Sequence, residues 1–184
     1  MSSFYLGGGT AVALRLGHRR SVDLDFFAPS PIDTLQLRQN LSSCGSFELD
    51  EEGPGTLHGI FNQVKVSFLE YDYPLLDPRV PYEGIAMAGL KDLACMKLDA
   101  IASRGKKRDF IDVYAIAQTG PFLGEMLEWF EKKYGSIQYN SLHLLKSLTY
   151  FEDAEGDPSP VFLKPMSWEE VKQFFQKEVL KRMP

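Results

Sequence analysis

Apolar and polar positions change their period about halfway along the chain. Phe4 to Leu6 form a short apolar run that stops at Gly7, Gly8 and Gly9, and Thr10 to Leu16 read as a helix with Ala11, Ala13 and Leu14 facing inward. Val22 to Phe27 alternates apolar and acidic residues in the period-two manner of a strand, which puts Asp23 and Asp25 on one side. Asp33 or Thr34 caps a helix running to about Ser43. Phe47 to Glu51, Thr56 to Phe61 and Val64 to Glu70 read as strands joined by turns at Gly53-Pro54-Gly55 and Asn62-Gln63. Tyr73 to Pro81, rich in proline and aspartate, reads as a loop.

From Leu90 the apolar period lengthens to that of helices, expected at about 90–103, 108–118, 121–134 and 139–151, followed by a proline-rich loop at 157–165. The last helix is expected to begin at Ser167, where Glu170 completes a capping box. The pattern therefore predicts an α/β (α+β) fold: a mixed-sheet core over 1–88, and a helical portion over 89–184 packed against it as one unit. The abrupt opening at Phe4 is consistent with a short first strand or with an upstream helix.

Bulk composition adds constraints. With 184 residues, 44% hydrophobic and 24% charged, the chain has the make-up of a soluble globular domain that needs no disulfide or structural metal to fold. A net charge of -5 and a pI near 5.3 exclude a surface that grips nucleic acid over its whole extent. A local patch built from Arg15, His18, Arg19, Arg20, Lys97, Arg104, Lys106, Lys107 and Arg108 stays open, provided 15–20 and 97–108 meet on one side. Cys44 and Cys95 have no metal-ligand spacing and no signal-peptide pattern precedes them, so they read as reduced core residues of a cytoplasmic protein. No apolar run approaches the roughly 20 residues that span a bilayer.

The chemistry concentrates in residues 7 to 25. A glycine turn lets backbone N–H groups face an anion, and the positive end of the following helix adds to the attraction. Two carboxylates projected together from a strand repel each other unless a cation lies between them, and a hard divalent ion such as Mg²⁺ shares such oxygens with phosphates. Singly, each feature has a plain alternative, a tight turn or a solvated edge; the combination is what points to a site.

The string G-G-T-A-V-A-L-R-L-G-H-R-R-S-V-D-L-D-F-F resembles the AbiEii-type toxin family, nucleotidyltransferase-like proteins of the polymerase-β superfamily found in type IV toxin–antitoxin systems. K-L-D-A-I-A-S-R-G-K-K-R-D-F-I-D, with Lys97, Arg104, Arg108, Asp109 and Asp112, is similar to later motifs of that family. The resemblance spans roughly residues 4 to 118 and leaves the last third unaccounted for. It implies an Mg²⁺-dependent enzyme moving a nucleotidyl group from a nucleoside triphosphate to an acceptor such as tRNA, and a cognate antitoxin as partner. Asp23 and Asp25 would hold the metal. Gly8, Gly9 and Thr10, with His18, Arg19 and Arg104, would hold the nucleotide, and Lys97 and Asp109 would join the catalytic set with the two acids. Lys106 and Lys107 read as solvated charges, and His58 and His143 as packing or solvated.

One departure stands out. Superfamily members supply a third carboxylate from a neighbouring strand, and Ser67 occupies that place here. A hydroxyl cannot replace the anion as metal ligand or base, and alternation puts Glu70 on the face opposite Ser67. The rival readings are a nucleotide- or partner-binding module with reduced catalysis, and a small-molecule transferase resembling antibiotic-modifying enzymes.

Overall fold

The computed structural model describes residues 4–135 and 140–182. In chain order the elements are β1 (Tyr5–Gly7), α1 (Gly8–Leu16), β2 (Leu24–Ala28), α2 (Thr34–Cys44), β3 (Phe47–Gly53), β4 (Thr56–Phe61), β5 (Val64–Glu70), β6 (Val80–Tyr82) and β7 (Ile85–Met87). The helices α3 (Leu90–Arg104), α4 (Lys107–Ala117), α5 (Leu123–Tyr134), α6 (Ser141–Ser147), α7 (Glu152–Glu155) and α8 (Trp168–Leu180) follow. The fold is mixed α/β, with one sheet ordered β3-β4-β5-β2-β1-β7-β6. β2 pairs antiparallel with β1 and parallel with β5, and β1 pairs parallel with β7.

Alternation along the strands sorts the sheet into two faces. Leu24, Phe26, Leu57, Val66 and Phe68 turn one way and pack with Leu37 and Leu41 of α2. Asp25, Phe27, His58, Ser67 and Leu69 turn the other way. The larger core runs from β1 and α1 through α3, α4 and α5 to Val171, Phe175 and Val179 of α8. Both sheet edges are blunted against further pairing: β3 carries Glu48, Asp50, Glu51 and Glu52, and β6 carries Pro81.

Local signals account for most element ends. Asp33 accepts a hydrogen bond from Gln36 N at 2.9 Å, and Ser167 and Glu170 form the expected capping box. Asn62 and Gln63 both have positive φ, as a two-residue hairpin turn demands.

Four expectations need correction. The predicted loop over Tyr73 to Pro81 runs into an unpredicted β6–β7 hairpin that begins at Val80 and turns at Glu83-Gly84 (φ 47 and 82). The helix expected at 139–151 ends early, at Ser147 in α6, and the short α7 lies beyond it; residue 139 lies outside the described residues. Cys44 is exposed at the end of α2, and only Cys95 is buried. Leu14 is exposed, because α1 buries Thr10, Ala11, Val12 and Ala13 instead. No helix among the described residues is long and apolar enough to cross a membrane.

Candidate active site

α1 starts at Gly8 itself, directly after β1. Its N-cap, Gly7, brings no side-chain oxygen to the first turn, so the helix's free N–H groups stay available at that end. Gly8 has φ 62, a conformation other residues adopt at a cost. The reason for glycine is also steric: a Cβ at Gly8 would lie 2.5 Å from Asp25 Oδ2, and one at Gly9 would lie 2.6 Å from Arg19 Nη2 and 3.4 Å from Lys97 Nζ. The bend, the acid and the two cations thus meet where only hydrogen fits.

They line a cleft of about 480 Å³, within the range of small-molecule sites. From the expected set, Gly8, Gly9, Thr10, Arg19, Asp23, Asp25, Lys97 and Arg104 line it, together with Ser67. Asp23 lies just before β2 and, among the described residues, pairs only with Arg108, at 3.7 Å. The Asp25 carboxylate has no hydrogen bond or ion pair with any described residue. A half-buried acid that no protein hydrogen bond or ion pair holds suits a hard cation, and Asp23 and Asp25 supply the oxygens such an ion takes. No three metal-ligating side chains cluster among the described residues, so an ion held by Asp23 and Asp25 would also need ligands other than carboxylates, such as water or phosphate oxygens.

Beneath the cleft floor lies a buried ionic network. Asp112 accepts from Arg19 Nε at 2.7 Å, Arg19 Nη2 at 2.8 Å and His18 Nε2 at 2.8 Å, and pairs with Lys97 Nζ at 2.8 Å. Asp109 holds Lys97 Nζ at 2.8 Å and takes a two-pronged grip from Arg104 at 2.9 and 3.0 Å. Burial pushes both carboxyls up, and the Lys97 ammonium with the neighbouring guanidinium and imidazole groups outweighs it, so both stay below the usual carboxylate range. The hydrogen bond to Asp109 raises Arg104 above its ordinary value against the effect of burial, and the charge of Asp25 adds to this. Burial raises the Asp99 carboxyl, with Arg104 opposing.

This network changes several expected roles. Asp109 and His18 are buried and do not line the cleft; Asp109 positions Lys97 and Arg104, and His18 braces Asp112. The Thr10 hydroxyl donates to the carbonyl of Asp23 and bonds the Ser21 hydroxyl at 2.9 Å, which ties α1 to the entry of β2. Lys107, expected at the surface, is buried with its ammonium on the carbonyl of Asp157 at 2.7 Å. The segments 15–20 and 97–108 do meet: Arg19, Arg20, Lys106 and Arg108 line a second hollow of about 390 Å³ that also includes Asp23. Residues 157–164 help build it, since Arg20 N donates to Val161 O at 2.9 Å and Leu163 N to His18 O at 2.9 Å.

Reasoning from motifs missed Asp50, Glu51, His58, Lys65 and Asp99, all of which line the cleft. For His58 a signal existed. Leu57 and Gly59 alternate with it, so once Leu57 is assigned to the core, His58 must share the face of Ser67.

The glycine bend, the two acids and the buried basic network are carried on a nucleotidyltransferase-type fold. The chain belongs to the AbiEii nucleotidyltransferase toxin family of type IV toxin–antitoxin systems, whose model, described as "Nucleotidyl transferase AbiEii toxin, Type IV TA system", matches residues 1–84. Protein aq_aa25 of Aquifex aeolicus is 39% identical over 183 residues, covering 97% of this chain and 87% of that protein. Among solved structures, MenT4, a nucleotidyltransferase toxin from Mycobacterium tuberculosis, superposes with TM-score 0.63 at 17% identity, over 99% of this chain and 76% of that one. JHP933 from Helicobacter pylori superposes with TM-score 0.57 at 20% identity, over 97% and 83%. At these identities the structural likeness speaks for the fold alone. The family match ends before Lys97, so the network of Asp109 and Asp112 rests on the geometry described above.

Proposed function

We propose that this protein transfers a nucleotidyl group from a nucleoside triphosphate to a hydroxyl-bearing acceptor such as tRNA, with Mg²⁺ as cofactor, as a cytoplasmic toxin restrained by an antitoxin. The observation that carries the reading is the Asp25 carboxylate, held by no hydrogen bond or ion pair with a described residue, set against the positive-φ bend at Gly8. Asp23 and Asp25 would hold the metal, which supplies charge neutralisation between acids and phosphates. The residues themselves do the rest. The first N–H groups of α1 receive the outer phosphates, and Lys97, Arg19 and Arg104, held in place by Asp109 and Asp112, offset phosphate charge. Catalysis of this kind is largely positioning and electrostatics. The basic hollow of Arg20, Lys106 and Arg108 beside Asp23 lies where a polyanionic acceptor would approach.

Ser67 favours a second reading, a nucleotide-binding module with little turnover, because it sits directly across from Asp25 in the sheet where a third acid is expected. One experiment separates the two. The wild type and Asp23→Ala/Asp25→Ala are incubated with each α-³²P-labelled triphosphate, Mg²⁺ and total tRNA. Label transfer by the wild type alone supports the transferase. Mg²⁺-dependent thermal stabilisation by nucleotide without transfer supports the binding module, and transfer unaffected by the double substitution overturns the site.

A further inference from the structure

The cleft extends past Ser67 in a straight line. Pairing across the sheet puts Asp25 opposite Ser67, Ser67 opposite His58, and His58 opposite Glu51. Residues paired in this way share one face, with Cβ atoms about 4.5–5.5 Å apart where the pairing is antiparallel. All four line the cleft. Glu51 reaches the row through an irregularity: the register shifts between Leu49 and Glu51, leaving Asp50 as an extra residue on β3. Bulges of this kind re-aim side chains beside functional sites.

His58 is half-buried and makes no hydrogen bond, ion pair or ring contact with any described residue. An imidazole kept free on a cleft wall is open to substrate. The other titratable groups nearby are less well placed or already engaged. Asp109, Asp112 and His18 are locked in the buried network. Glu70 faces the opposite side, and Asp99 lies across the cleft on α3, near Tyr71 and Tyr134, whose phenols burial raises and the charge of Asp99 raises further. Lys65, two residues before Ser67, is a cation and cannot take a proton in its ordinary state.

Building on the transferase reading, we infer that His58 is the general base for the acceptor, taking over from the carboxylate that Ser67 replaces. The acceptor hydroxyl lies between His58 and Asp25, over Ser67. An imidazole nitrogen of His58 takes its proton as the acceptor oxygen bonds to the α-phosphorus. The bond from that phosphorus to the bridging oxygen of the β-phosphate breaks, and pyrophosphate leaves with the electron pair. The imidazolium then returns its proton to solvent. Glu51, next in the row, is placed to steady the positive charge that His58 carries in the meantime.

The test compares the wild type, His58→Gln, His58→Asn and His58→Gln/Ser67→Asp, using the α-³²P-labelled triphosphate and tRNA fraction that give wild-type label transfer. Thermal unfolding of each protein verifies folding. His58→Gln and His58→Asn are expected to lower kcat by about 10²-fold or more, with KM for tRNA and the Mg²⁺·nucleotide thermal shift unchanged. Adding Ser67→Asp restores a carboxylate in the row and is expected to recover at least about tenfold of that loss. Retention of wild-type kcat by both single variants, or a change confined to KM, would overturn the role of His58 while leaving the transferase reading intact. Wild-type transfer that persists in Asp23→Ala/Asp25→Ala would instead remove the reading on which this inference rests.

Discussion

Adding one methyl group at Gly8 tests whether bend and carboxylate converge. Gly8 has φ 62, and a Cβ there would lie 2.5 Å from Asp25 Oδ2 and 3.2 Å from both Cβ and Cγ of Asp25. Two costs arise. Holding an alanine at a left-handed φ costs about 1–2 kcal/mol. Driving the Asp25 side chain off its rotamer to clear the methyl adds about 0.5–1.5 kcal/mol. Gly8→Ala is therefore expected to lose about 1.5–3.5 kcal/mol, which lowers Tm by roughly 3–14 °C in a chain of this size. Asp25→Ala removes a carboxylate that makes no hydrogen bond or ion pair with a described residue, so it should be neutral to within about 0.5 kcal/mol or stabilising. In the double variant only the backbone cost remains, and the total should fall short of the sum by about 0.5–1.5 kcal/mol. Thermal unfolding of the four proteins by circular dichroism measures this cycle. Additivity within about 0.3 kcal/mol, or a Gly8→Ala protein as stable as the wild type, would refute the convergence on which the metal and phosphate assignments depend.

Other outcomes follow from the buried network. Asp112→Asn strips the counter-charge from Arg19 and Lys97 and is expected to cost about 3–5 kcal/mol, read as a Tm drop on the order of 10 °C. Because the Asp112 carboxyl is lower in the folded protein than its ordinary 3.8, its contribution is present above about pH 4 and lost below it; the wild type should lose stability on acidification below pH 4 more steeply than Asp112→Asn, as acid-titrated unfolding measures. Arg104→Ala, at a half-exposed position, should weaken Mg²⁺·nucleotide binding by about tenfold or more in calorimetric titration while lowering Tm less than Asp112→Asn does. Lys133 is fully buried, pairs with Asp92 at 2.7 Å, donates to Pro74 O at 2.7 Å and lies behind Tyr71 without itself lining the cleft. Lys133→Met should cost about 3–5 kcal/mol, yet leave the nucleotide-induced thermal shift intact.

Short-range chemistry was legible in the residue string. Glycines at 7 to 9, acids at 23 and 25 and the capping box at Ser167 each express a local rule, and period-two alternation settled that Asp23 and Asp25 share a face and that Glu70 opposes Ser67. The β6–β7 hairpin was not legible, because three-residue strands within a proline-rich stretch carry too few positions to show a period. Nor were the fates of His18 and Lys107, whose partners Asp112 and the carbonyl of Asp157 arrive from far along the chain, or that of Asp109, whose burial depends on how α3 and α4 pack together.

By itself, then, the chain determined most element types, the face that the longer strands present and the bend that suits an anion. Only the tertiary structure decided which strands are neighbours, and so the row of Asp25, Ser67, His58 and Glu51, the burial of the basic network and the stapling of 157–164 beside the cleft. The physical reason is range. Dihedral preference and periodicity act over a few residues, whereas strand order and the neutralisation of buried charge depend on which distant segments give the best-packed core.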